Sequence, residues 1–590
     1  MELSRRTMLK SSSLALMSVA TSTGLAAHAA IAEEPVWSIA PGVYIGEGSG
    51  RSGILTAQIT VKNDCILDIE VLENPDTDNI SEIAINSVTK DMRNYQSINV
   101  DTVTGATLTS FGLITAVQDA LEKSGGDISI FEAEPQYPSP EAQDCECDIV
   151  IVGGGAAGMN AAIEAKAAGK SVILVEKQGF LGGGDSMFSS TAFITGGGYN
   201  VYKGEFEACT EEDYYNYICK KYEKYDIDKE NIHACCMWGG KILDFYLSIG
   251  IPLTKFNGNK DFRNRMDDGS APGTHIMRHL SAYMNKIGLD YRVNTKMTSI
   301  IMEDGHAAGV MVENPSGEYA IKAKAVILAS GSFTRNEEII SDYCHAQKYA
   351  KLPRICSSAN TGDGLLAAVE VGANLCNMSE NFIKLNAIGF QADNGAALSM
   401  VPIQTTAALV NDDGLRYVNE YDTLAKVLID TELEQPNQAS WAIFDQKLVD
   451  ANAFVRDCIA LGYVQTGTTW EELASVIGME GQAQENLVAT MQKWQKTGTG
   501  NVEEDFGATI PDAFDTPPYY AIRVQPVMQG AYCGIETDDM AHVINTEGQI
   551  IPNLFAAGVV SGHGFPPTAG LTVASGFGRI AGQTAALEIA

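Results

Sequence analysis

Cys147-Asp148-Ile149-Val150-Ile151-Val152-Gly153-Gly154-Gly155-Ala156-Ala157-Gly158 is the stretch that decides the fold. Its short β-branched run reads as a strand, broken by three glycines and followed by an Ala-rich helix to Ala168. A second strand, Ser171 to Val175, ends at Glu176, 23 residues after the first glycine. The whole is a βαβ unit carrying G-x-G-x-x-G: Gly153, Gly155 and Gly158, with the small Ala157 between the last two. Such glycines permit a tight turn and bring a pyrophosphate close to the helix N-terminus, while the acid accepts from ribose hydroxyls. A lone glycine motif is weak evidence. Here strand, helix and acid all stand where a dinucleotide site needs them.

Upstream, from Val36 to about Gly125, the pattern is α+β. Ile54–Val61 and Cys65–Val71 flank the turn Lys62-Asn63-Asp64 and read as a hairpin, with two helices to follow. Residues 126–146, which include Glu-Ala-Glu-Pro and Tyr-Pro-Ser-Pro, read as a linker. Within the small domain lies Asp101-Thr102-Val103-Thr104-Gly105-Ala106-Thr107. Its plain reading is a loop entering a helix, with Thr109-Ser110 as N-cap of the run Phe111, Ile114, Val117, Leu121. The stretch also resembles the flavinylation site of the FMN-binding domains of Rnf and Nqr redox pumps and of extracytoplasmic reductases. That resemblance implies FMN attached covalently to Thr107 by a flavin transferase, with Asp101 helping to position the hydroxyl.

Downstream, Leu181-Gly182-Gly183-Gly184-Asp185-Ser186 resembles the second flavin loop of the fumarate reductase and flavocytochrome c flavoproteins. Ala325–Gly331 resembles a later strand of that family, and Asn360-Thr361-Gly362-Asp363-Gly364 a third cofactor contact. Leu554–Gly558 with Gly578–Gly582 resembles its C-terminal signature. With the amino-terminal domain, the order of blocks is similar to that of urocanate and cinnamate reductases. The resemblance implies an α/β Rossmann-like FAD domain (147–380 and 518–590), an inserted α+β capping domain (381–517) and a preceding α+β FMN-binding domain (36–125). FAD would be held without a covalent bond by Gly153, Gly155, Ala157, Gly158, Glu176, Gly183, Gly184, Asp185, Ser186, Gly331, Asp363, Gly364 and Gly558. Asp185 stands where the family commonly has Asn, Ser332 where Gly is usual, and Val559 where Glu is usual.

The family's dicarboxylate machinery does not carry over. Gly414-Leu415-Arg416-Tyr417-Val418-Asn419-Glu420 resembles the family's G-x-R-F-x-N-E segment and sets the register. The protonating arginine's position is then Leu424. Asn386-Ala387-Ile388 replaces an H-P-T block, an apolar and hydroxyl-bearing run from Ala396 to Thr406 replaces T-E-x-x-R, and Gln529-Gly530 replaces a histidine pair. No arginine lies between Gly558 and Gly578. An anionic substrate in a dry site needs charge-assisted partners, so the expected acceptor is neutral or apolar. Gly564-Phe565-Pro566-Pro567 also resembles part of the flavin ketosteroid dehydrogenase pattern, which keeps ring enones in play. Tyr421, Tyr532 and His563 are the candidate proton donors, with packing as the alternative role for each.

Composition bounds the rest. A length of 590 residues allows three or four domains, and a net charge of −34 argues against nucleic acid as a partner. Twelve cysteines show neither zinc spacing nor C-x-x-C nor C-x-x-C-H, so no metal site is expected. Leu3-Ser4-Arg5-Arg6-Thr7-Met8-Leu9-Lys10, an apolar stretch and small residues near Ala30 read as a twin-arginine export signal over residues 1–32. The expected place is the periplasm or the outer face of the membrane or cell. The leading expectation is a reductase passing electrons from a membrane quinol-oxidising cytochrome or other redox protein, through FMN and FAD, to an activated C=C bond of a small molecule. A ketosteroid-type dehydrogenase and a non-catalytic electron-transfer module are the alternatives.

Overall fold

The computed structural model describes residues 37–589 except 77, 104–105, 136–141, 190–191, 199–208, 224–226, 256–261, 267–271, 392–396, 422–424 and 563–569. The export signal, Leu424 and His563 therefore lie outside the described residues, as do Thr104 and Gly105.

The amino-terminal unit is an antiparallel sheet of β1 (Gly42–Ser49), β2 (Ile54–Lys62) and β3 (Cys65–Glu73), crossed by helices α1 (Asp78–Tyr95) and α2 (Thr107–Glu122). The hairpin forms where the sequence placed it: Asn63 and Asp64 both take positive φ, 54° and 55°, as a two-residue turn between twisted strands requires. One face of β2 (Leu55, Ala57, Ile59, Val61) packs against Leu113, Ala116, Val117 and Ala120 of α2 as a separate core. Gly46 and Gly48 let β1 approach closely; a Cβ at either would strike the backbone of α2.

The second unit is built on β4 (Cys145–Val152), α3 (Ala156–Ala167) and β5 (Val172–Val175). β4 and β5 pair in parallel, and β4 pairs in parallel with Gly317–Leu328, which pairs in turn with Ile550–Ala556. The eight-stranded sheet thus joins segments 400 residues apart, which is why the C-terminal block belongs to this site. The helix Gly570–Glu588 lies along α3: Gly578 and Gly582 sit against the backbone of Ala157 and Ala161, leaving no room for larger side chains. Arg579, buried in that contact, donates to Asn160 Oδ1 at 2.7 Å and pairs with Glu164.

A second, antiparallel sheet runs in the order Ala397–Ser399, Ile383–Gln391, Tyr519–Ala531, Ser440–Asp445, Ala408–Val410, flanked by helices including Gln482–Thr497. Its spine, Tyr519–Ala531, falls beyond the Pro517 boundary expected for the inserted unit. Pro517-Pro518 punctuates the sequence there, but the strand that follows pairs with Ile383–Gln391 and Ser440–Asp445. No helix among the described residues is long and apolar enough to cross a membrane.

Candidate active site

The amino-terminal unit, the βαβ unit and the second sheet all contribute residues to one cavity of 1480 Å³. Single drug-sized ligands occupy pockets of roughly 300–1,000 Å³, so this space suits a dinucleotide with room beside it. Its floor is the glycine turn. Gly153 has φ 110°, and a Cβ there would strike the carbonyl of Ala329; one at Gly158 would strike the carbonyl of Gly153. Gly155 is different in kind. It is the N-cap of α3, and a Cβ built on it meets nothing nearer than Ser186 Oγ at 4.0 Å. Gly184 likewise opens onto space with nothing within 4 Å. The chain leaves room at the N-terminus of α3, where the first N–H groups lack intrahelical partners and a phosphate can bind; of these, Ala156 N donates to Ser186 Oγ at 3.3 Å.

Glu176 closes this floor from the β5 side. Its carboxylate accepts from Gly154 N at 2.7 Å and Gln178 N at 2.8 Å, and burial pushes its carboxyl up despite those bonds. Asp185 ties the second flavin loop to the segment after Cys356, accepting from Ser357 N at 2.8 Å and Asn360 Nδ2 at 2.7 Å. Burial raises its carboxyl too. Both residues fix the cavity's walls by accepting from backbone N–H groups. Gly183 carries no side chain because Gln178 fills that space, and Gly364 none because Ser330 does. Gly331 and Gly558 line the cavity with φ of 80° and 81°. Asp363 lines it as well; burial pushes its carboxyl up, but Lys177 at 2.5 Å, Thr361 and Lys296 outweigh that and hold it low. Ser330 Oγ is buried at the wall without a hydrogen-bond partner among the described residues. These residues fit FAD. They would hold the pyrophosphate over α3, with Ser330 available as an extra donor or acceptor.

Thr107 lines the same cavity from the amino-terminal unit, together with Arg51, Leu108 and Phe111. It is exposed and is the first residue of α2, whose N-cap is Ala106. The N-cap falls at Ala106, three residues before Thr109, because the hydroxyls of Thr109 and Ser110 are engaged elsewhere. Thr109 Oγ1 donates to Asp76 Oδ2 at 2.6 Å, and Ser110 Oγ accepts from Val103 N at 3.0 Å. Asp76 also accepts from Arg51 N and Ser52 N, so the β1–β2 loop and α2 are fixed together beside Thr107. Ile83 and Phe180 pack against the cores of both units, and Arg278 pairs with Glu82 at 2.9 Å.

The proposed acids divide. Tyr421 is not at the cavity. Its hydroxyl donates to the carbonyls of Thr406 (3.0 Å) and Ala407 (2.7 Å), its ring lies 6.4 Å from that of Trp494, and burial pushes its phenol far up. It is a packing residue, placed there because its neighbour Glu420 is drawn inward by Arg416 and by Leu409 N at 3.0 Å. Tyr532 does line the cavity, and burial raises its phenol above the usual value. Sequence reasoning passed over Lys384. It lies on Ile383–Gln391, lines the cavity with Asn386 two residues on, and stands in register with Gly530. The signal was the period-2 pattern Lys384, Asn386 within an otherwise apolar strand. Arg335 and Arg354 line the wall nearby, their guanidiniums donating to carbonyls such as Cys356 O (2.8 Å) and Thr334 O (2.9 Å).

Comparison with known proteins bears on this arrangement. Residues 148–573 match the family described as FAD binding domain, and residues 50–122 the FMN-binding domain. A probable fumarate reductase of Shewanella frigidimarina is 31% identical over 457 residues, 74% of each chain. A urocanate reductase of Eggerthella lenta is 28% identical over 569 residues, 92% of each. The open conformation of a flavocytochrome c3 fumarate reductase superposes with a TM-score of 0.68 at 27% identity, covering 76% of this chain and 79% of that one.

Proposed function

The chain belongs to the FAD binding domain family, and from that premise we propose that it is an extracytoplasmic reductase of an activated C=C bond. Electrons enter from a membrane quinol-oxidising cytochrome or another redox protein, reach FMN held covalently on Thr107 by a flavin transferase, and pass to FAD. The acceptor is a small organic molecule, neutral or apolar, and the protein is exported by the twin-arginine route. The observation that carries the reading is the single cavity: Thr107, the glycine turn at Gly155 and the second sheet at Lys384 and Gly530 all line it. Electron transfer between flavins and onward to a substrate needs such adjacency, and a pure shuttle has no use for a third wall. Bound FAD supplies a hydride to one alkene carbon. The chain's part is to hold the cofactor at α3, exclude water with the second sheet, and give a proton to the other carbon. The lack of arginine from Gly558 to Gly578 supports a neutral acceptor over fumarate.

The test is anaerobic. Protein carrying both flavins is reduced with dithionite and mixed with neutral enoate esters, ring enones, stilbenes and fumarate while flavin absorbance and alkene loss are followed. Oxidation by at least one neutral alkene, well ahead of fumarate, is expected. Rapid oxidation by fumarate alone would overturn the substrate argument, and inertness to every alkene would overturn the reductase reading.

A further inference from the structure

We infer that Lys384 is the proton donor of this site, delivering its Nζ proton to the alkene carbon that does not receive hydride. The inference rests on the C=C reductase reading. The geometry comes first. Lys384 sits on the second sheet's cavity face beside Asn386, whose amide is held by Ser399 Oγ at 3.1 Å. Directly across the strand pair is Gly530, and a Cβ built on Gly530 meets nothing within 4 Å. The ammonium therefore faces open cavity space of the kind a flat substrate fills.

Its neighbours leave it free for that work. On the adjoining strand Arg523 is paired with Asp412; on the helix Ala425–Leu433, Glu432 accepts from Tyr417 and Asp430 from Lys348. Arg354 is bound to carbonyls and Tyr532 lies farther along the same wall. No carboxylate among the described residues pairs with Lys384, and burial alone pushes its amine below the ordinary lysine value. Tyr532, the other candidate donor on the wall, is shifted the opposite way and made a weaker acid by its burial. A general acid works best when its pKa approaches the working pH. Desolvation drives Lys384 toward that condition, because the ammonium loses its charge as it gives up the proton.

The step balances. The π bond breaks, one carbon takes the hydride supplied by the flavin, and the other forms a C–H bond with the Lys384 proton. The N–H bond breaks, a neutral amine remains, and water restores its proton. A carboxylate on the substrate beside Lys384 would hold the ammonium charged and weaken it as an acid, so this role and a neutral acceptor agree.

The experiment compares Lys384→Met, Lys384→Arg and Tyr532→Phe with wild type, all loaded with FAD. Reduced protein is reoxidised either by a neutral enoate ester or by ferricyanide, which takes electrons without needing a proton on carbon. Lys384→Met is expected to lose alkene reduction by about 10²–10⁴-fold, the usual worth of a general acid, and to keep ferricyanide reoxidation and affinity for the saturated ester. In oxidised wild type, ¹³C-methylated lysines are titrated by NMR. The resonance missing from Lys384→Met should titrate below the others. Alkene reduction within a few-fold of wild type in Lys384→Met overturns the inference, as does a loss carried by Tyr532→Phe alone. An ordinary titration of Lys384 overturns it without any alkene. If wild type reduces no alkene of the panel, the reductase reading falls and the proton-donor role falls with it, whereas an alkene-reducing wild type with an unimpaired Lys384→Met overturns the inference alone.

Discussion

Gly155→Val puts a branched side chain where α3 opens onto the cavity. The protein itself has room for it: a Cβ there meets only Ser186 Oγ, at 4.0 Å, and the backbone is extended at φ −80° and ψ −171°. Losing a favourable N-cap residue costs about 1 kcal/mol, a Tm change of about 2–4 °C for a domain of 150–250 residues and less for a larger one. The cofactor takes the larger effect, because the two methyl groups enter the space where a pyrophosphate would meet the first N–H groups of α3. Two charge-assisted hydrogen bonds at about 1.5–3 kcal/mol each amount to about 3–6 kcal/mol, or about 10²–10⁴-fold in Kd. Apoprotein is titrated with FAD by fluorescence quenching, and Tm is followed by circular dichroism. Gly158→Val is the contrast, since its Cβ would strike the Gly153 carbonyl and damage the fold even without FAD. Wild-type FAD affinity in a folded Gly155→Val protein would refute the placement of the pyrophosphate.

Other outcomes follow from the same geometry. Thr107→Val, co-expressed with a flavin transferase, should lose an FMN-sized mass adduct from the peptide containing residue 107 while FAD remains; an adduct that persists places the attachment elsewhere. Arg416→Met leaves Glu420 and Glu503 buried without their shared cation, which also stacks on Trp494 at 4.6 Å. Breaking such a pair costs about 3–5 kcal/mol, read as a lower midpoint in urea. His542 is raised from 6.5 to about 9, by Asp538 first and Glu588 next, against its burial. Its stabilisation is complete below pH 6.5 and is lost as pH rises through about 9. Tm should therefore fall between about pH 7 and pH 10, and His542→Gln should flatten that fall.

The βαβ unit was legible because its determinants are local: a β-branched run, glycines at fixed spacing and an acid at the next strand's end. The hairpin at Asn63-Asp64 was legible for the same reason. Reading failed where tertiary packing decided the outcome. Thr109 and Ser110 resemble a helix cap, but Asp76, 33 residues away from Thr109, claims one hydroxyl. Tyr421 follows a family motif, yet with Glu420 pulled inward by Arg416 its half-buried ring packs against the core and its hydroxyl is spent on the carbonyls of Thr406 and Ala407. Lys384 carried no motif at all; only the pairing of Ile383–Gln391 with Tyr519–Ala531 aims it at the cavity, and that register joins segments over 130 residues apart.

Electron stoichiometry tests the central claim most directly. Wild-type protein carrying both flavins is fully reduced, freed of excess dithionite and titrated anaerobically with the best neutral alkene from the panel. If FMN on Thr107 feeds FAD at α3 through the shared cavity, each chain should consume about two equivalents of alkene, one per two-electron flavin. Thr107→Val should consume about one. One equivalent from wild type, or two from Thr107→Val, would contradict it.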